Sequence, residues 1–232
     1  LTAVIRFISI IISSITAGIG NSMVIETVDK NKRDLKKFSL LMHWLVGWCS
    51  ICLFCLYQPF IRLWMGKRML LSVDTVFLLV FYFYISEIRR IINTFKNAAG
   101  MWWVDKFKPY VVVFADIVLD IILVQLTGVN GVIIASIISV LFIYIPWETN
   151  VFFKYYFKES SAPYYWELLK KCTVFALTGI FTFIICNVVQ NEGIYGLLLR
   201  AGICVIVPNT VLLILYHNTA EFKGLLDLLK GR

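Results

Sequence analysis

The sequence predicts an all-α integral membrane protein with about seven transmembrane helices, and three observations carry that expectation. Of the 232 residues, 60% are apolar or aromatic and only 16% are charged, against about 45–50% and ~25% in soluble domains. The apolar residues gather in continuous runs near the length of roughly 20 residues that crosses ~30 Å of hydrocarbon. Between the runs, Lys and Arg cluster in alternate connections. A chain this apolar has too few polar groups to cover a water-facing surface, so the bilayer is its natural solvent.

Along the chain the expected spans are 1–20, 39–60, 71–88, 108–126, 129–147, 171–189 and 194–216. An outer-membrane barrel would instead alternate apolar and polar residues over pieces of about ten. Proline punctuates several spans. Pro59 is expected to close the second, Pro109 to open the fourth and Pro146 to end the fifth. Pro208 falls inside the seventh, where it removes one backbone hydrogen bond.

The connections set the orientation. Lys30, Lys32, Arg33, Lys36 and Lys37 form one basic cluster, and Arg89, Arg90, Lys96, Lys106 and Lys108 a second. Lys154, Lys158, Lys170 and Lys171 form a third, and Lys223, Lys230 and Arg232 close the chain. The alternate connections hold only Arg62, Lys67 and Arg68, then the nearly uncharged turns TGVNG and QNEG. The positive-inside rule makes the basic set cytoplasmic, with the chain start outside and its C-terminus inside. The net charge of +8 then belongs to loops facing an anionic leaflet, and no nucleic-acid partner is implied. The first apolar run lacks a small-residue cleavage site, so it is not read as a signal peptide. Since the chain begins LTAVIRFISI, it is expected to be a fragment whose upstream part is absent.

Cys49, Cys52 and Cys55 make a C-x-x-C-x-x-C run, and Cys172, Cys186 and Cys204 follow singly. The run lies inside LVGWCSICLFCLY, where small apolar side chains on a helix face are expected rather than metal ligands. Four charged positions lie away from the ends of their spans. Arg6 sits about 14 residues, or roughly 21 Å, from the cytoplasmic end of its span. It either faces a cavity or snorkels to the outer headgroups. Arg200 lies ~9 Å below the outer end of the seventh span, where snorkelling is easier. Asp116 and Asp120 share one helix face about 10 and 17 Å into the fourth span. Two carboxylates so close in low dielectric do not both ionise cheaply, which suits proton or Na⁺ coupling; a structural pair bonded to a neighbouring helix is the plainer alternative. Glu87, Arg89 and Arg90 read as a solvated helix end, with a salt-bridged gate as the alternative, and Trp102 and Trp103 as interfacial aromatics.

Several stretches carry a family resemblance: INTFKNAAGMWWVDKFKP (92–109), LVQLTGVNGVIIASIIS (123–139) and PWETNVFFKYYFKES (146–160). GIGNSMVIE (18–26), QPFIRLWMG (58–66) and TAEFKGLLDLLK (219–230) extend it nearly end to end. Together they resemble the Wzx-type polysaccharide flippases, within the superfamily that includes the multidrug MATE antiporters. The resemblance implies the C-terminal bundle of a MATE-like two-lobe transporter, with the N-terminal bundle missing. Relatives tend to carry Asn in the fourth span where this chain has Asp116 and Asp120. The implied substrate is an undecaprenyl-diphosphate-linked oligosaccharide repeat unit, moved across the bacterial cytoplasmic membrane for surface polysaccharide biosynthesis. Arg6 and Arg200 are then candidate ligands for the diphosphate, because a guanidinium binds phosphate oxygens in pairs. Asp116 and Asp120 are the candidate ion-coupling residues. No cofactor is implied, and the expected partners are membrane lipids and the neighbouring glycosyltransferases and glycan polymerase.

Other classes fit less well. A transferase acting on isoprenoid phosphates would need clustered acids or a His–Asp pair, and the only histidines are His43 and His217. A retinal protein would need a Lys in the seventh span, which has none. A drug or organic-cation antiporter of the same superfamily is the nearest rival. The orientation predicts a labelling pattern in intact cells on a cysteine-free background. A cysteine at Gly66 should react with an impermeant maleimide while cysteines at Asn31 and Ser160 stay protected; the reverse pattern would invert the topology.

Overall fold

The computed structural model describes residues 1–191 and 193–229. It is 87% helical, without strands among the described residues. The helices are α1 (Thr2–Ile25), α2 (Val28–Trp64), α3 (Val73–Ala98), α4 (Lys108–Thr127), α5 (Val129–Ser139), α6 (Ile145–Phe152), α7 (Ala162–Val188), α8 (Ile194–Tyr216) and α9 (Ala220–Leu229). Five-residue π-helical segments, Val140–Tyr144 and Phe153–Phe157, join α5 to α6 and extend α6, so Val129–Phe157 is one continuous rod of 29 residues.

Six helical stretches among the described residues are long and apolar enough to cross a membrane: α1, α2, α4, Val129–Phe157, α7 and α8. The third expected span forms as α3 but falls short of that criterion, because Glu87, Arg89, Arg90 and Lys96 lie within the helix. Instead α3 is deeply enclosed. It buries Val76, Phe83, Ile85, Ile88, Ile91, Ile92 and Phe95 and packs against α1, α2, α5 and α6. The lipid-ready surface lies on α4, α7 and α8, which expose residues such as Phe114, Ile121, Leu177, Ile184, Leu198 and Ile206.

The basic connections are much shorter than the loops 21–38, 89–107 and 148–170 expected from the sequence, because the helices run on through them. Thr27 caps α2 by accepting a hydrogen bond from the Lys30 amide at 3.4 Å, and Asp29 in the first turn complements the helix dipole. At 37 residues the helix is about 55 Å long, well beyond the hydrocarbon thickness. Its polar extension meets the other basic segments at one end of the bundle. Lys32 pairs with Glu159, Lys36 with Glu167 at 2.5 Å, and Asn31 donates to Tyr156 at 2.7 Å. Asn31 is fully buried, so of the two protected labelling positions the exposed Ser160 is the discriminating one. Trp44 stacks on Phe222 with centroids 5.7 Å apart, which docks α9 onto α2 at this end.

Two prolines do not end their helices. Pro59 lies inside α2, and Pro146 lies in the first turn of α6, within the 29-residue rod. In each case neighbouring helices hold the rod past the lost hydrogen bond. Pro208 lies inside α8 as expected. Its missing N–H leaves the Cys204 carbonyl without its helical donor, and the Trp48 indole of α2 donates to that carbonyl at 3.0 Å. Trp44, one turn away, donates to Asn209 at 2.8 Å. Two indoles thus stitch α2 to α8 where α8 is interrupted.

The GVNG turn is explained by contact. Gly128 has φ +62° and ψ −135°, a backbone region that only glycine enters without strain. A Cβ on Gly131 would lie 2.2 Å from the Leu123 carbonyl oxygen, so this glycine lets α4 and α5 fold tightly together. Gly131→Ala should lower the stability of the detergent-solubilised protein by about 2 kcal/mol, the usual cost of forcing backbone apart. Thermal unfolding measures it, and an unchanged midpoint would remove close packing as the reason for the turn.

Candidate functional site

Near the basic end, charged residues from four segments join into one buried chain. Arg89 of α3 donates to Glu148 of α6 at 2.8 Å, and Lys108 at the start of α4 donates to the same oxygen at 2.8 Å. Lys108 also pairs with Asp105 at 2.9 Å, and Asp105 with Lys96. Glu148 has no exposed surface and Lys96 is 2% exposed. The Arg89 guanidinium stacks over the Tyr144 ring at 4.1 Å, and Tyr144 ends the π-helical segment that precedes α6. Such segments often mark functional positions.

Three cations share two carboxylates, so the chain carries an excess of positive charge. Burial works to raise the Asp105 pKa, but the hydrogen bonds from Lys96 and Lys108 prevail and hold it below its ordinary value. Burial lowers the Lys96 pKa, and Asp105 offsets only part of that shift. One oxygen of Glu148, one of Asp105 and the Nε of Arg89 are buried without a protein partner. The network therefore keeps hydrogen-bonding capacity beyond its internal pairs.

Glu87 and Arg90 are not a solvated helix end. Glu87 is buried at 6% exposure, and Arg90 donates to it at 2.7 Å and to Ser9 of α1 at 3.0 Å. These charges are instead paired inside the bundle, because α1 and α6 cover the face of α3 that the sequence leaves open.

Arg6 lies on the exposed face of α1, in a shallow groove with Ser9, Ile10, Ser13 and Ser14. The hydroxyls of Ser9, Ser13, Ser14 and Thr16 bond carbonyls one turn back on their own helix, at 2.7–2.9 Å. These satisfied hydroxyls sit cheaply beside lipid. The Arg6 guanidinium has no ion pair among the described residues.

Arg200 lies elsewhere, toward the opposite end of the bundle. It donates to the Val189 carbonyl at 2.6 Å and the Cys186 carbonyl at 3.3 Å, closing the end of α7 while it lines a cavity with Arg62. The structure therefore does not bring Arg6 and Arg200 into one binding site.

Asp116 and Asp120 stand on the face of α4 turned toward α5. Ser139 of α5 donates to Asp116, as in the structural alternative. Oδ1 of Asp120, one turn deeper, is buried without a partner. Asp116 acts electrostatically on Tyr144, which ties it to the Arg89–Glu148 network.

Sequence reasoning missed Glu148, Lys108 and Asp105 as one unit, although WVDKFKP and PWETN each place an acid or base at the edge of an apolar run. No protein-family model, curated protein or solved structure matches the chain.

Glu148→Ala leaves three buried cations with one carboxylate, and should cost about 3–5 kcal/mol, as breaking buried ion pairs does. Adding Arg89→Met should recover part of the loss in detergent unfolding. If the double variant loses the full sum of both single losses, the two residues are not coupled.

Proposed function

We propose that the chain is the C-terminal transmembrane portion of a Wzx-type flippase. In this reading it moves undecaprenyl-diphosphate-linked oligosaccharide across the bacterial cytoplasmic membrane, with its basic end cytoplasmic. It has no enzymatic role and works beside glycosyltransferases and a glycan polymerase. The observation that carries the reading is Arg6, a permanently charged guanidinium on an exposed face of a membrane-length helix, without an ion pair among the described residues. A guanidinium so placed calls for an anion or a wet cavity facing α1, and a diphosphate matches its paired donors. Arg90 bonds Ser9 on the same helix, and the Glu148 network behind it is also rich in cations, which supports an anionic headgroup.

A second reading, a drug or organic-cation antiporter of the same superfamily, draws on the unpartnered carboxylate oxygen of Asp120. The two differ in which intramembrane charge meets the cargo. In the flippase reading Arg6 meets it, and Asp116 and Asp120 couple an ion. In the antiporter reading Asp120 meets it.

The test is surface glycan per copy of transporter, with the variants placed in the protein joined to its expected upstream bundle. Arg6→Ala should lower export about tenfold or more at unchanged membrane levels, and Arg6→Lys should fall between, having lost only the paired donors. Asp116→Asn and Asp120→Asn should slow export and leave binding of the lipid-linked sugar nearly intact. Normal export per copy in both Arg6 variants would sink the flippase reading. Loss of organic-cation resistance in Asp120→Asn with normal glycan would support the antiporter.

A further inference from the structure

Away from the charged network, three cysteines from three helices converge. Cys55 of α2, Cys186 of α7 and Cys204 of α8 are all buried, and their sulfur atoms lie within 4.8 Å of one another. The Cys186 and Cys204 sulfurs are 3.7 Å apart. Of the C-x-x-C-x-x-C run, Cys55 belongs to the three-thiol group and Cys52 lies against it, its thiol turned to the Cys204 carbonyl at 3.8 Å, so the spacing of that run concealed the grouping. Two features already described hold it in place. Trp48 fixes the backbone of Cys204 where Pro208 interrupts α8, and Arg200 fixes the backbone of Cys186 at the end of α7.

We propose that Cys55, Cys186 and Cys204 form a three-sulfur site for a soft monovalent metal ion of the Cu(I) type. The number of thiols decides between the uses open to such a cluster. A disulfide would join two of the three, which here are free and in ordinary contact, and would leave the third without a role. A metal ion with bonds of about 2.3 Å to sulfur in a trigonal array holds its ligands about 4.0 Å apart, within the separations present. Packing alone would not require three thiols to face one another from three helices.

The donor set selects the ion. It offers three soft sulfurs, and the grouping contains no imidazole or carboxylate, which suits Cu(I). A structural Zn(II) site would need a fourth protein ligand. A cavity of about 310 Å³ reaches the cluster, lined by Cys55 and Cys186 together with Gln58, Arg62, Asn187 and Arg200. The ion arrives through this cavity, whose lining mixes these polar groups with Phe54, Val76 and Phe183, and the displaced thiol protons leave by it. Negative charge gathering on the sulfurs then lies beside the Arg200 guanidinium.

The test is an anaerobic titration of the purified 232-residue chain in detergent with Cu(I), against a chromophoric chelator. One Cu(I) per chain should be retained, with a sulfur-to-copper charge-transfer band and X-ray absorption showing three sulfurs at about 2.3 Å. Cys55→Ser, Cys186→Ser and Cys204→Ser should each weaken binding about 100-fold, since each removes one of three soft ligands. Cys49→Ser and Cys172→Ser should bind as the unaltered chain does. Cys→Ala variants at the three positions, with metal-free thermal stability measured alongside, separate ligand loss from misfolding. Failure to hold Cu(I) against the chelator would overturn the proposal, as would binding that survives the triple Cys→Ala change. Preference for Zn(II) over Cu(I) would overturn the choice of ion.

Discussion

A buried carboxylate is strongly destabilising unless cations reach it, and Glu148 is a carboxylate with no exposed surface. Neutralising it draws three segments together: α3 supplies Arg89, the start of α4 supplies Lys108, and the rod through α5 and α6 supplies Glu148 itself. Lys108 then needs Asp105, and Asp105 holds Lys96. The connection between α3 and α4 is thus fixed by charge. Apolar packing surrounds the network, with Phe95 and Phe152 in contact alongside it, but packing alone would not set which faces of these helices meet.

The same constraint explains why one helix escapes a hydropathy criterion that its neighbours satisfy. α3 carries charge well into the bundle because each charge meets a partner: Glu87 pairs with Arg90, which also reaches Ser9 of α1, Arg89 pairs with Glu148 of α6, and Lys96 with Asp105. The outer helices α4, α7 and α8 have no such partners along their lipid faces and are correspondingly apolar. Charge is therefore sorted by depth inside the bundle as well as by end of the bundle.

The positions of six of the seven expected spans, the absence of strands among the described residues and the clustering of basic segments at one end were legible in the sequence, because each depends on a local run of residues. The boundaries of the connections were not. Pro59 and Pro146 are ordinary stop signals, yet helices on either side of them continue, held by contacts that a one-dimensional pattern does not contain. Glu87, Arg89 and Arg90 looked like a wet helix end because Ser9 and Glu148, which meet Arg90 and Arg89, are distant in sequence. The grouping of Cys55 with Cys186 and Cys204 was hidden for the same reason, since they lie more than 130 positions downstream. Arg6, Asp116 and Asp120 were visible as costly residues in apolar spans. That Ser139 meets Asp116, and that the Arg200 guanidinium closes α7, depended on tertiary geometry.

The π-helical segment Val140–Tyr144 sets the phase of everything beyond it. Such a turn holds about one residue more than an α-helical turn, so it rotates the following stretch by about 100° relative to an unbroken α-helix. That rotation lets Ser139 meet α4 while Glu148, nine positions on, meets α3 and Lys108. Loss of a single residue inside this segment would close the wide turn into an ordinary α-helical one and leave Glu148 close to its present phase. Loss of a residue from the α-helical turn between this segment and Glu148 would instead swing Glu148 by about 100° off its cations, so the register of the rod, rather than its composition, is what the charged network requires.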